Sequence, residues 1–253
     1  MAAPVFFVDP GREPDTDGIV CITGDEARHA SQVVRLRSGE RVDLVDGVGR
    51  RYEGTVRSAS RDRLDVAVDC IVDEPDPAPR IVVVQALAKG DRGEQAVAAM
   101  TEVGVDAIVP WSAEHCITRW SGERAQRGVD KWRATARASA KQARRSRVPD
   151  VLPLHSTADV DARLADAALV ICLDESAEES LAGIDIPVTG DIVLVVGPEG
   201  GLSDAERAHL TGRGARLARL GPTVLRTSTA GPVGAAVVLA RTPRWGATAR
   251  PSP

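Results

Sequence analysis

The chain has 253 residues, and its 36 acidic and 32 basic side chains give a formal net charge of −4. Hydrophobic residues make up 43% and charged residues 27%, which excludes a disordered chain and indicates one or two globular domains. The apolar runs are only strand-sized, the start lacks a signal-peptide pattern, and the four cysteines contain no CxxC pair. We therefore expect a cytoplasmic protein with no membrane span, no disulfide framework and no metal site.

The first seventy or so residues predict a small β domain. Residues 24–37 indicate a short helix that runs into a basic segment. Three stretches alternate polar and apolar residues, as half-buried antiparallel strands do. Three prolines between residues 73 and 79 interrupt helix and strand alike, so we place a domain at 1–73 and a linker at 74–80. The predicted strands are 41–46, 52–56 and 64–72.

After the linker, continuous apolar runs alternate with helical stretches. Such runs are typical of strands buried on both faces, and their alternation with helices indicates a parallel sheet covered on both sides. We expect a larger α/β domain at 81–245, followed by a tail at 246–253. The predicted strands are 81–87, 106–111, 168–173, 191–196 and 215–220, and the predicted helices are 92–103, 123–145, 203–213 and 231–240.

Positive charge is concentrated in one segment of this acidic chain. Residues 119–147 hold ten basic and two acidic side chains, an excess of eight. An imbalance of this size favours an anionic partner such as nucleic acid, although a solvated helix face is the commoner explanation of a charge run.

A glycine-rich turn follows one buried strand. Gly197-Pro-Glu-Gly-Gly201 comes directly after the strand at 191–196, and Ser203 with Glu206 forms a capping-box pattern for the next helix. Glycines at the carboxyl end of a strand let the backbone approach a ligand closely, although they also serve ordinary tight turns. Because no Gly-Lys-Ser/Thr follows, the turn is not a phosphate-binding P-loop.

A second segment places an arginine among small hydroxyl residues. Leu220-Gly-Pro-Thr-Val-Leu-Arg-Thr-Ser-Thr-Ala-Gly231 sets Arg226 just before a predicted helix of small residues. Arginine with neighbouring hydroxyls can hold a phosphate or an anionic base. The alternative is that the hydroxyls cap the helix while Arg226 points to solvent.

Together, the two segments resemble the SPOUT methyltransferases, whose catalytic domain contains a deep trefoil knot. Within them the chain is similar to the ribosomal RNA small subunit methyltransferase E family over nearly its whole length. The supporting motifs are His29 to Arg37, Gln85 to Arg92, Thr101 to Val105, and Lys131-Trp132 with Ala140 to Arg145. The resemblance implies an α/β fold: a SPOUT-type knotted methyltransferase domain with an N-terminal PUA-like β-barrel domain.

The activity implied by this resemblance is methylation of N3 of a specific uridine in the 16S rRNA of the small ribosomal subunit. The methyl donor would be S-adenosyl-L-methionine, and the protein would be a homodimer. The target uridine would leave its stack to reach the donor. One departure concerns Ser228, which stands where the family usually has Glu. That change removes a carboxylate that would orient Arg226 or assist proton removal.

The resemblance also implies the site residues. Arg226 is the catalytic candidate, through its positive charge beside the developing uridine anion. The cofactor candidates are Leu173, Val196, Gly197, Glu199, Gly200, Gly201, Leu220, Gly221, Pro222, Leu225 and Thr227. The RNA-binding candidates are Arg12, Arg28, His29, Arg35, Arg37, Lys89, Arg92, Lys141, Gln142, Arg144 and Arg145.

Two other functions stay open at this stage. The chain could be a non-catalytic RNA-binding or ribosome-assembly protein that keeps the knotted fold, which the absent Glu favours and the intact Arg226 opposes. It could also be an unrelated α/β enzyme that binds a nucleotide at the glycine-rich turn, although the P-loop residues and an acidic ribose-binding residue are missing.

Overall fold

The computed structural model describes residues 3–246. Contacts divide the chain into two compact units: a first unit that extends to Asp76 and also takes in Ala140–Val148, and a second unit formed by Pro77–Ser139 and the chain from Pro149 onward. The predicted domains at 1–73 and 81–245 and the linker at 74–80 remain a prediction about domain boundaries. Of the predicted tail at 246–253, residues 247–253 lie outside the described residues.

A five-stranded sheet forms the first unit, in the order β1-β3-β4-β5-β2. β1 pairs with β3 in parallel, and the other pairs are antiparallel, as the alternating pattern predicts. The sequence did not predict β1 and β2, because these short strands lack a clear alternation. The strands are β1 Val5–Phe7, β2 Ile19–Thr23, β3 Arg41–Val45, β4 Arg50–Ser60 and β5 Arg63–Asp73.

The helix predicted at residues 24–37 is present in two parts. α1 covers Gly24–Arg28, and a π-helical turn continues over His29–Val34. It ends at Arg35, whose φ of 61° is left-handed. Phe6, Leu44, Tyr52 and Leu64 are among the side chains buried in the core of this unit.

A buried arginine joins the sheet of the first unit to the segment Ala140–Val148. Arg51 on β4 is only 1% exposed; it pairs with Asp43 at 2.8 Å and donates a hydrogen bond to the carbonyl of Arg144 at 2.8 Å. Lys141 pairs with Glu26 at 2.8 Å, and its ammonium lies 4.5 Å from the centre of the Phe6 ring. These contacts explain why a segment far along the sequence belongs to this unit.

A six-stranded sheet forms the second unit, in the order β11-β9-β10-β6-β7-β8, and every pair is parallel. This confirms the parallel sheet expected from the continuous apolar runs. β8 is a two-residue strand that no apolar run signals. The strands are β6 Arg80–Ala86, β7 Ala107–Trp111, β8 Asp150–Val151, β9 Leu169–Leu173, β10 Asp191–Val196 and β11 Arg216–Ala218.

Helices connect these strands. The predicted helix at 92–103 is confirmed at both ends, whereas the predicted helix at 123–145 ends at Gln142, shortly before the left-handed Arg144. A 3₁₀ turn covers Leu181–Gly183. Within residues 3–246, no helix is long and apolar enough to cross a membrane. The remaining bounds are α2 Arg92–Val103, α3 Gly122–Gln142, α4 Thr157–Ala165, α5 Asp204–Gly212, α6 Thr227–Leu239 and α7 Pro243–Gly246.

Glycines let α6 lie close to the sheet. A Cβ atom on Gly234 would sit 2.9 Å from Cδ1 of Leu173, and one on Gly231 would sit 3.0 Å from Oε1 of Gln85. The helix begins four residues before the predicted start at Gly231 and contacts β6, β10 and α2. Its first turn therefore lies near the carboxyl ends of these strands.

We predict that Gly93→Ala destabilises the protein. Alanine normally favours a helix over glycine by about 0.5–1 kcal/mol. At Gly93 in α2, however, the added Cβ would sit 2.8 Å from the buried indole of Trp132. We expect urea unfolding to show a loss of about 1–3 kcal/mol in the free energy of unfolding.

Gly212→Ala is the matched control, because Gly212 also lies in a helix and nothing lies within 4 Å of the added Cβ. It should keep or slightly raise the stability. Equal stability of the two variants would contradict the close packing of α2 on Trp132.

Candidate functional site

The carboxyl ends of three neighbouring strands meet at one edge of the six-stranded sheet. There, a cavity of about 290 Å³ is lined by the ends of β9 and β10, by the segments after β10 and β11, and by the first turn of α6. Ligands of open α/β sheets bind at this edge, and the volume is near the lower end for small-molecule sites. We call this space the cofactor cavity, after the group predicted to bind there.

Most of the predicted cofactor residues come together around this cavity. Gly200 and Pro222 are the two of the eleven that do not line it. A cavity of this kind is what a cofactor site needs. The role of each residue in binding stays a prediction. The predicted residues that line it are Leu173, Val196, Gly197, Glu199, Gly201, Leu220, Gly221, Leu225 and Thr227.

Contacts on both sides fix the glycine-rich turn. Gly201 has a φ of +74°, its N–H donates to the carbonyl of Pro198 at 3.0 Å, and its carbonyl lies 3.1 Å from Nδ1 of His115. The predicted capping box is confirmed, since Ser203 and Glu206 exchange side-chain to backbone hydrogen bonds. The buried carboxylate of Glu206 also accepts the backbone N–H of Glu114 at 2.8 Å. The turn is therefore held open beside Gly201, where a Cβ would meet nothing within 4 Å.

An ion pair that the sequence analysis missed lines the cavity. Asp174 follows β9 directly and is 6% exposed, and Arg207 on α5 pairs with it. Burial alone would raise the pKa of Asp174. Hydrogen bonds from Ser176 and the guanidinium of Arg207 outweigh that effect and hold the pKa below its ordinary value. An acidic residue directly after a buried strand was the available sequence signal, whereas nothing marked Arg207.

Glu199 is held at the cavity by the segment after β6. Its carboxylate accepts the backbone N–H of Lys89 at 3.1 Å and lies 3.6 Å from the guanidinium of Arg92. Arg92, an RNA-binding candidate, is thus partly neutralised, while the side chain of Lys89 is exposed.

Arg226 lies at the N-cap of α6, lines the cavity and is exposed. Within residues 3–246, its side chain forms no hydrogen bond or ion pair, so no carboxylate neutralises it. The amide of the buried Gln85 donates to the carbonyl of Thr227 at 3.3 Å, which ties the start of α6 to the end of β6. Ser228, where the family usually has Glu, lies in the first turn and is half-buried.

Cysteine chemistry is not available beneath the cavity. Burial raises the pKa of the Cys172 thiol on β9 to about 12, so the thiolate is absent at neutral pH. Across the part of the chain that the structure describes, no group of three or more His, Cys, Asp or Glu side chains could hold a metal ion.

The remaining RNA-binding candidates belong to the first unit. Arg28 is paired with Asp25 and Asp62, and His29 packs edge-on against Phe6 at 5.9 Å. Lys141 is neutralised by Glu26, as described above. The ionic charges of Arg28 and Lys141 are therefore already engaged within the unit. Arg12, Arg35, Arg37, Gln142 and Arg144 are exposed, and Arg145 is half-buried.

Comparison with known proteins identifies both parts of the chain. Residues 74–239 match the model of the RNA methyltransferase domain, and residues 22–69 match that of the RNA methyltransferase PUA domain. The ribosomal RNA small subunit methyltransferase E of Mycobacterium bovis is 43% identical and spans 98% of this chain and 96% of its own. That of Bacillus subtilis is 29% identical over 83% of this chain and 85% of its own.

A solved structure shows the same fold. The ribosomal RNA small subunit methyltransferase E of Neisseria gonorrhoeae, bound to S-adenosyl methionine, superposes with a TM-score of 0.82 at 24% identity. The match covers 95% of this chain and 98% of that one. The fold is thus that of an α/β RNA methyltransferase with a PUA-like domain. The sequence, the domain models and the fold agree, and the chain belongs to the ribosomal RNA small subunit methyltransferase E family.

Proposed function

We propose that this protein methylates N3 of a uridine in the 16S rRNA of the small ribosomal subunit, with S-adenosyl-L-methionine as the methyl donor. Membership of the family supports ribosomal RNA as the substrate. The observation that carries the proposal is the guanidinium of Arg226, which has no hydrogen-bond or ion-pair partner among residues 3–246 and lies at a cavity built from a glycine-rich turn. The RNA-binding candidates named above are the proposed contacts to this substrate.

The residues of the cofactor cavity fit the proposed donor. Leu173, Val196 and Leu225 offer apolar surface to an adenine ring, and the open space beside Gly201 permits close backbone approach. When bound, S-adenosyl-L-methionine supplies a methyl group on a sulfonium, which is a good leaving group. A relative of the same fold binds S-adenosyl methionine.

Arg226 would stabilise the anion that the uridine becomes when its N3 proton passes to solvent water. A guanidinium that no carboxylate of the described chain neutralises keeps its full charge for the substrate, and the N-terminus of α6 adds a partial positive charge at the same place. Gln85 would hold this end of α6 against β6 through the carbonyl of Thr227. Because Ser228 supplies no carboxylate, the proposal rests on stabilisation of the anion and not on a base at that position.

The family's trefoil knot and dimer are parts of the same proposal. The N–H of Arg219, just after β11, donates to the carbonyl of Glu179, and the N–H of Leu181 donates to the carbonyl of Arg219. From there the chain turns back so that α6 contacts β6 and β10. The knot itself is proposed from membership of the family. α6 is apolar on most sides, and its Val233 is 36% exposed, which supports a second copy as the partner of that face.

The first prediction from this function is transfer of radiolabelled methyl from S-adenosyl-L-methionine to small ribosomal subunits from a strain that lacks the gene. Nucleoside mass spectrometry should find the label as N3-methyluridine. Label in another nucleoside would contradict the proposed atom. Binding of the subunit without any transfer would favour the non-catalytic assembly protein, which the Ser228 substitution also favours.

Arg226→Ala should lower the rate of methyl transfer by at least about 100-fold, because the variant lacks the charge that stabilises the uridine anion. Its affinity for S-adenosyl-L-methionine, measured by calorimetry, should be nearly unchanged. Arg226→Lys keeps the charge but not the planar fork, so we expect it to retain part of the rate. Full activity of Arg226→Ala would remove Arg226 from the mechanism.

Gly201→Val should abolish binding of S-adenosyl-L-methionine, because its side chain would project from a residue that lines the cavity. Gly214→Val is the matched control: Gly214 also has a positive φ and open space around its Cβ, but it lies outside the cavity lining. Both variants place valine at a positive φ, so calorimetry should show loss of binding only for Gly201→Val. Equal affinities for the two would show that the turn is merely structural.

A further inference from the structure

The second unit contains another cavity, of about 320 Å³, which the cofactor site does not use. It is lined by the first turn of α2, by the first half of α3 and by the segments that precede these helices. Its wall combines two tryptophans with three basic side chains, and none of these five residues is among the RNA-binding candidates named from the sequence. We call it the Trp120 cavity.

The aromatic wall of the Trp120 cavity is rigid. The rings of Trp120 and Trp132 meet edge to face, with centroids 5.3 Å apart and an interplanar angle of 73°. A Cβ on Gly128 would sit 2.7 Å from the ring of Trp120, and one on Gly93 would sit 2.8 Å from that of Trp132. Trp132 is fully buried, whereas Trp120 is only half-buried and lines the cavity. Trp120 thus presents a preformed aromatic surface.

The charge of this cavity is positive. Arg124, Arg127 and Lys131 line it, against one carboxylate, that of Glu94. Glu94 pairs with Lys131 at 2.9 Å, and this pair leaves the two arginines for a ligand. Arg127 lies 3.8 Å from Glu123 with both side chains largely exposed, an arrangement that contributes little free energy. In the described part of the chain, Arg124 has no side-chain partner.

One loop joins the two cavities. Ala88 and Gly90, just after β6, line the Trp120 cavity, while the backbone N–H of Lys89 between them donates to Glu199 at the cofactor cavity. The hydroxyl of Thr118 donates to the carbonyl of Ala88 at 2.9 Å and so joins this loop to the segment that carries Trp120. The two cavities therefore lie on either side of one short loop, and an RNA strand whose target base meets the donor at the mouth of the cofactor cavity would have the Trp120 cavity within its reach.

We propose that the Trp120 cavity binds a single-stranded nucleotide that flanks the methylated one. Its base stacks on Trp120, and its phosphate is held by Arg124 and Arg127. An aromatic platform beside arginines is the usual means by which proteins hold single-stranded RNA. When the protein holds the flanking nucleotide, the target base is more easily kept out of its stack. The inference rests on the proposed function and adds a substrate subsite to it.

The test measures RNA binding without any methyl donor. A fluorescein-labelled single-stranded RNA of about ten nucleotides, long enough to span one site of this kind, is titrated with the whole protein at several salt concentrations. Trp120→Leu should weaken binding by about fivefold or more, and Trp120→Phe, which keeps a stacking face, should restore most of it. The double variant Arg124→Ala with Arg127→Ala should weaken binding and reduce the slope of log affinity against log salt by about 0.7, the value for one phosphate on a single strand.

Arg163→Ala is the charge control, because Arg163 is exposed and lines a different cavity at the amino ends of β6 and β10. It should leave the affinity and the salt slope unchanged. Thermal unfolding checks that Trp120→Leu is folded, and the exposed arginines give a second test that does not depend on the packing of Trp120. Native affinity of the arginine double variant, or loss of affinity in Trp120→Phe equal to that in Trp120→Leu, would overturn the proposal.

Two further measurements separate the possible failures. Poly-L-glutamate that competes with the RNA as strongly as unlabelled RNA of equal charge would show an acidic-protein site and overturn the nucleotide assignment. In methyl transfer to small subunits, the variants should raise KM with little change in kcat. If the wild type is fully active and the variants have an unchanged KM, this inference is overturned and the proposed function is not. If the wild type methylates no ribosomal RNA, the proposed function is overturned. The RNA titration would then still show whether the Trp120 cavity binds a nucleotide.

Discussion

The close approach of α6 to the parallel sheet is the constraint on which the cofactor cavity depends. Gly231 and Gly234 have no Cβ, so the helix lies within contact distance of Leu173 on β9 and of Gln85 on β6. The helix start is thereby set at the edge where β9 and β10 end, together with Arg226. A larger side chain at either glycine would lift the helix and separate the arginine from the glycine-rich turn. The chemistry at the edge is thus a consequence of helix packing behind it.

Charge is distributed unequally around that edge. Asp174 is matched by Arg207, and Glu199 is matched by a backbone amide and by Arg92, so the carboxylates of the cavity wall are held by partners on other segments. Arg226 has no such partner among residues 3–246. In the proposed reaction this difference separates two tasks: the paired groups shape the wall around the donor, and the unpaired arginine acts on the acceptor. The paired groups are held in place and need little rearrangement during a reaction.

The sequence was most informative where the local pattern decides the structure. β10 and α2 have the predicted bounds, and Ser203 with Glu206 forms the predicted capping box, because apolar runs and caps act within a few residues. The partners that act across the fold left no comparable signal, among them Arg207 beside Asp174. The predicted end of α3 was too late for the same reason: helical pattern continues past Gln142, but tertiary contacts of the next residues end the helix.

The same contrast between local patterns and long-range partners holds for the candidate site. Nine of the eleven predicted cofactor residues line one cavity, because the motifs that carried the resemblance flank strand ends that the topology brings together. Gly200 and Pro222 lie in the same two motifs but outside the lining, since a turn directs only some of its residues inward. For the Trp120 cavity the sequence offered only the basic segment and the Lys131-Trp132 motif, and neither indicated a cavity. It exists because two glycines, on α2 and α3, leave room for indole rings, a relation visible only once the helices are packed.

The inclusion of Ala140–Val148 in the first unit has a consequence for biosynthesis. On a ribosome the chain emerges from its amino terminus, so the five strands of the first unit are available long before this segment. Until residue 148 has left the exit tunnel, the guanidinium of Arg51 cannot donate to the carbonyl of Arg144, and the ammonium of Lys141 cannot contact the ring of Phe6. The amino-terminal unit therefore cannot finish folding first, as a contiguous domain would. Its completion waits for more than half of the chain to be translated.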